Sequence, residues 1–218
     1  MTTPPAFDAD RMVLEIEHCG HAVPPWRWFE IDLDHITVAG LQHDVPQAIT
    51  GARVSAMTRH HQAEPIAALL ARDRTRHLTH LQFEATGNHS ARTVATLAWD
   101  QGLVPLPARH LDQPPDDGEL ARLAGQLAGL GTPLIKIAYP APLPAHVDAA
   151  VQLLTRWDHT TTALALIPMG TRSGRAAAHA AGSRLMWVPP WPQHDRWGPS
   201  DHLPLPTGPA SNVKESLL

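Results

Sequence analysis

This chain of 218 residues is long enough to bury a full core in one domain, and its formal charge of -4 excludes a protein that grips nucleic acid through a basic face. A single cysteine, Cys19, excludes an internal disulfide and a cysteine-based zinc site. No apolar run reaches membrane-spanning length and residues 1–10 lack a basic, then apolar leader, so a cytoplasmic protein with no membrane or nucleic-acid partner is expected.

In chain order, short β-rich runs alternate with helical patterns. Strands are predicted over 12–17, 29–33, 53–58, 79–84, 103–108, 134–138, 163–167 and 185–188. Helices are predicted over 64–72, 90–99, 117–130, 145–157 and 173–181, with Ser90 as a cap and Gly131 and Gly182 after helix ends. Such alternation predicts an α/β fold with a parallel sheet, and eight strands predict a single (β/α)8 barrel over residues 1–203. Two places fit that barrel poorly. The connection 18–28 is short and proline-rich for a crossover helix, so the barrel is expected to be abbreviated in its first βα unit. Pro105 and Pro107 are awkward in a central strand. Residues 204–218 read as a loose C-terminal tail.

Barrel chemistry sits at the C-terminal ends of the strands, which selects Glu30, Arg59, His110, Lys136, Met169 and Arg175. Lys136 stands apart. Of 17 lysines and arginines only Lys136 and Lys214 are lysine, and Lys136 lies in the apolar run Pro133-Leu134-Ile135-Lys136-Ile137-Ala138. Burial disfavours a charge and so makes a neutral amine nucleophile available, which arginine never becomes. Two readings stay open on these residues alone: imine formation on a carbonyl substrate, or a buried lysine paired with a carboxylate for structural reasons. Fifteen histidines invite a metal reading, but His18-Cys19-Gly20-His21 and His60-His61 lack the spacing of a zinc-protease helix, so no metal is expected.

The segment 133–138 resembles the lysine-bearing strand of the type I 3-dehydroquinate dehydratases. His110, followed by Asp112 and Pro114-Pro115, is similar to that family's catalytic histidine at the end of strand five. Ile167-Pro168-Met169-Gly170 resembles the Met-Gly that ends strand seven, and Arg175, ahead of Gly182-Ser183, resembles the arginine that binds the substrate carboxylate. Glu30-Ile31-Asp32-Leu33-Asp34 resembles the Glu-x-Arg-x-Asp of strand two, and Arg59 falls where a substrate-binding arginine ends strand three. The resemblance runs from about residue 12 to residue 188 and is most specific over 136–183. Three departures accompany it. Asp32 replaces an arginine, the interval from Met-Gly to Arg175 is short, and the lid after strand eight is not recognisable in the Trp- and Pro-rich stretch 189–201.

What the resemblance implies is a lyase of the shikimate pathway, towards aromatic amino acids, dehydrating 3-dehydroquinate to 3-dehydroshikimate through a Schiff base. Lys136 would form the imine and His110 would act as general acid and base. Arg175, Arg59, Glu30 and Met169 would bind the cyclic keto acid, no cofactor would be needed, and family precedent implies a homodimer. The alternatives are another imine-forming class I aldolase or lyase, which needs a phosphate site after strands seven and eight, and a catalytically impaired homologue acting as a binding protein. A metal-dependent hydrolase has only histidine abundance behind it.

Overall fold

The computed structural model describes residues 12–16, 28–34, 53–72, 78–170 and 172–188. The strands are β1 (Met12–Ile16), β2 (Trp28–Asp32), β3 (Arg53–Thr58), β4 (His80–Glu84), β5 (Val104–His110), β6 (Leu134–Pro140), β7 (Ala163–Met169) and β8 (Met186–Val188). The helices among the described residues are α1 (Ala63–Arg72), α2 (Asn88–Asp100), α3 (Asp117–Ala128), α4 (Pro144–Arg156) and α5 (Arg172–Ala180). The connection 17–27, the segment 189–201 and the tail 204–218 lie outside the described residues, and so do His18 to His21.

All the strand pairs are parallel, and the sheet runs β7-β6-β5-β4-β3-β2-β1-β8. The segment leading into β8 returns against β7: Arg184 N–H donates to Leu164 O at 2.8 Å, and Leu166 N–H donates to Ser183 Oγ at 3.0 Å. The arrangement is an α/β barrel of the (β/α)8 type. Parallel strands joined by crossover helices must bury both faces, so alternate residues enter two separate cores. Ile135, Ile137, Leu164 and Leu166 point outward and pack with Val94, Leu120, Ala150 and Leu154 of the helices. Leu106, Leu134, Ala138, Ala165, Ile167 and Trp187 point inward and fill the cylinder. Each buried aliphatic side chain contributes about 1.5–3 kcal/mol relative to exposure.

Strand five is longer than its prolines suggest. Val104 N–H donates towards β4, to Thr79 O at 2.9 Å, whereas Leu111 N–H donates towards β6, to Ala138 O at 2.9 Å. Successive N–H groups alternate sides, so Pro105 and Pro107 lack only donors that would face β6. The β5–β6 ladder accordingly begins at Ala108↔Lys136, while the β4–β5 ladder already runs from His80↔Val104 to Glu84↔Ala108. The prolines are tolerated because one side of β5 is unpaired where they stand.

Helix ends follow local chemistry. Asp116 caps α3, its Oδ1 accepting from Glu119 N–H at 2.7 Å. Pro144 occupies the first turn of α4, where a missing N–H costs nothing. Ser90 is not the cap of α2. That helix starts at Asn88 after Gly87, and the Ser90 hydroxyl donates back to Gly87 O at 3.1 Å. No helix among the described residues is long and apolar enough to cross a membrane.

Candidate active site

Lys136 is the central inward residue of β6 and only 4% exposed. Its Nζ donates to Gln82 Oε1 of β4 at 3.1 Å and lies 3.6 Å from Glu30 Oε2 of β2. The same nitrogen sits 3.8 Å from the centroid of the Trp187 ring of β8. Trp187 Nε1 in turn donates to Glu30 Oε2. Four strands thus converge on one amine. Nearby polar capacity is unused, because Gln82 Nε2 and Ser55 Oγ are buried with no hydrogen-bond partner among the described residues. Leaving such groups unpaired costs about 1–3 kcal/mol each, a cost that a bound polar ligand would relieve.

His110 ends β5, next to β6, two residues beyond the Ala108 that pairs with Lys136. Its Nδ1 lies 2.7 Å from Glu84 Oε2, and its backbone N–H donates to Glu84 Oε1 at 3.1 Å. Arg109 Nε flanks the same carboxylate at 3.7 Å. Burial pushes the His110 pKa down to about 4; the Glu84 hydrogen bond opposes that shift, while the Lys136 and Arg59 charges add to it. Burial alone would raise Glu84, but its hydrogen bonds and charge interaction with His110, then the Arg109 charge, outweigh this and hold its pKa below the ordinary value. An ionised Glu84 can only accept. Nδ1 of His110 therefore carries the proton, leaving Nε2 with the free lone pair.

Solved structures share this fold. It is similar to type I 3-dehydroquinate dehydratase from Clostridium difficile, solved with covalently modified comenic acid, at TM-score 0.71 and 12% identity over 88% of each chain. It is similar to 3-dehydroquinate dehydratase from Geobacillus kaustophilus HTA426 at TM-score 0.71 and 14% identity, over 93% of this chain and 87% of that one. The Enterococcus faecalis 3-dehydroquinate dehydratase gives TM-score 0.68 and 15% identity, over 83% of this chain and 88% of that one. No family model and no curated protein matches the sequence. The fold is that of a dehydroquinase-like barrel.

The remaining candidates divide by burial. Arg59 follows β3 at the C-terminal end of the barrel and is exposed, with its backbone N–H donating to Asp34 Oδ2 at 2.8 Å. Its charge reaches His110. Arg175, in the first half of α5, is only 4% exposed, and its Nη1 donates to Trp187 O at 3.2 Å. Its guanidinium lies against the end of β8. Met169 ends β7 and is partly buried against the inner core. Asp32 is half-buried and accepts from Asp34 N–H at 2.9 Å. The exposed His60 lies 3.8 Å from Asp34 Oδ1, and no three potential metal ligands converge among the described residues.

Sequence reasoning missed Glu84, Gln82 and Trp187. A signal for two of them existed: His80, Gln82 and Glu84 put polar side chains at every inward position of a strand whose outward residues Leu81 and Phe83 are fully buried. Parallel barrel strands are ordinarily apolar on both faces. Trp187 carried no such signal.

Proposed function

We propose that this chain is a Schiff-base-forming dehydratase that converts 3-dehydroquinate to 3-dehydroshikimate. The observation behind this reading is the pairing of an enclosed Lys136 amine with a Glu84-oriented His110 on adjacent inward faces of a barrel whose structural relatives include 3-dehydroquinate dehydratases. Lys136 first gives a proton to an acceptor, and Glu30 Oε2 at 3.6 Å is a carboxylate placed to take it. The neutral amine adds to the ring ketone, and Glu30 returns the proton as the carbinolamine hydroxyl leaves as water, giving a protonated imine and an ionised Glu30. That cation acidifies the neighbouring C–H. His110, neutral at pH 7 with a pKa of about 4, removes this proton through Nε2, and the electron pair forms an enamine. The enamine expels the β-hydroxyl, which takes the proton from His110 and leaves as water. Hydrolysis of the imine consumes one water, frees the product and restores Lys136, so the net loss is one water.

Arg59 is the better placed cation for the substrate carboxylate, being exposed near the strand ends and electrostatically coupled to His110. Arg175 acts one step back, holding the Trp187 carbonyl. Met169 closes the apolar side of the site. The Lys136–Glu30 contact also favours a second reading, a barrel that binds a cyclic keto acid without turning it over. One experiment separates them: incubation with 3-dehydroquinate, following enone absorbance, then borohydride and mass spectrometry of the Lys136 peptide. Enone growth with a reduced adduct on Lys136 supports the dehydratase. Ligand binding by calorimetry with neither enone nor adduct leaves the binding barrel.

A further inference from the structure

The opposite end of the barrel holds a second concentration of unusual side chains. A cavity of about 610 Å³ opens there, lined by Trp28, Arg53, His80, Leu134, His159 and Arg184 among others. Trp28, Arg53, His80 and Leu134 are the first residues of β2, β3, β4 and β6, so the cavity lies at the N-terminal ends of the strands, away from the Lys136 amine. From its geometry we infer that this cavity binds a small organic anion, an apolar body carrying a carboxylate or phosphate head.

Four observations converge on that ligand. First, no carboxylate is among the described residues that line the cavity, and the exposed Arg53 and Arg184 stand at its edge. Arginine forks match carboxylate and phosphate oxygens. Second, the Arg53 guanidinium is already placed, 5.2 Å from the centroid of the Trp28 ring. Third, Trp28 is only 4% exposed, lines the cavity, and its Nε1 has no hydrogen-bond partner among the described residues. An indole N–H donates only, so the group that satisfies it is an acceptor. Fourth, the wall is apolar where β5 and β6 are not laddered: Val104, Pro133 and Leu134 line the cavity beside the stretch that Pro105 and Pro107 keep unpaired. The volume falls within the range of small-molecule sites, about 300–1,000 Å³, and the apolar wall favours an organic body over a bare inorganic ion. His80 adds no charge near neutrality, since burial and then the Arg53 charge lower its pKa to about 4.

The test follows the indole N–H resonances of the isotope-labelled full chain by NMR, with Trp28→Phe assigning the Trp28 signal. The probes are benzoate, phenyl phosphate, inorganic phosphate and benzylamine. A saturable shift of the Trp28 signal with benzoate or phenyl phosphate is expected, the tighter of the two naming the head group. Arg53→Gln and Arg184→Gln should each weaken that binding about 10-fold or more, and both side chains are exposed, so the fold should tolerate the changes. Saturation by benzylamine, indifference to both arginine variants, or no saturation by either organic anion would overturn the inference. Inorganic phosphate binding as tightly as phenyl phosphate would show an adventitious ion only and would overturn it as well. No arm involves Lys136 or 3-dehydroquinate, so failure here and failure of the proposed activity are separate results.

Discussion

Two histidines at opposite ends of the barrel share a pKa of about 4 and owe it to different surroundings. His80, at the start of β4, is lowered by burial and then by Arg53, and its Nδ1 meets the Thr79 hydroxyl at 2.8 Å. His110, at the end of β5, is lowered by burial and by Lys136 and Arg59, while the Glu84 carboxylate pulls the other way. The difference teaches that a depressed pKa does not by itself single out a candidate acid or base. What separates His110 is a carboxylate that fixes which ring nitrogen carries the proton, and an amine on the adjacent strand. His80 has a hydroxyl and an arginine beside it instead.

The comparison breaks most visibly in turnover. His110→Ala is expected to slow 3-dehydroquinate dehydration by about 10²–10⁴-fold, with borohydride still trapping the Lys136 adduct. His80→Gln should cost far less. Equal losses in the two variants, measured as enone formation, would erase the distinction. Glu84→Gln should have a smaller effect than His110→Ala, with a definite sign in the pH profile. The Glu84 hydrogen bond raises the His110 pKa, so its loss should move the acid limb of kcat/KM to lower pH, from a starting midpoint near 4. A limb that moves upward would contradict the assigned geometry.

Stability should respond at both ends alike. Each histidine titrates at about 4 in the folded chain against an ordinary 6.5, so the unfolded chain binds more protons between those values. Stability is then complete above pH 6.5 and falls as pH drops through the window to about 4, by at most about 3 kcal/mol per histidine. Urea unfolding at steps from pH 7 to pH 4.5 would read this, and His80→Gln should flatten the slope. A flat profile in the unsubstituted chain would mean the burial effect is overstated.

The alternation of strand and helix patterns was enough to read the barrel, because each strand is a short run bounded by helical periodicity. Lys136 and His110 could also be selected as candidates, one from its scarcity in an apolar run and the other from its place near a strand end. Their partners were not. Gln82 reaches Lys136 across 54 positions in the chain and Trp187 reaches Glu30 across 157, and only strand order and register bring them together. Pro105 and Pro107 misled for a related reason. A proline forbids one hydrogen bond on one side of a strand, and which side is paired depends on the neighbours, not on β5 itself.

The finest contrast between the two ends lies in their tryptophans. Trp28 and Trp187 are both buried, 4% and 2% exposed, and both line the inner core. Trp187 Nε1 donates to Glu30 Oε2, whereas Trp28 Nε1 has no partner among the described residues. Tryptophan to phenylalanine removes similar ring area at either place, so the packing loss should roughly cancel in the comparison. What remains is the hydrogen bond. Trp187→Phe strips a donor from a buried carboxylate and should cost about 1–3 kcal/mol more than Trp28→Phe in the ligand-free chain, read from urea midpoints at constant slope. Equal costs would mean that the Trp187–Glu30 bond contributes no more to stability than an indole N–H without a partner, and that Lys136 alone satisfies Glu30.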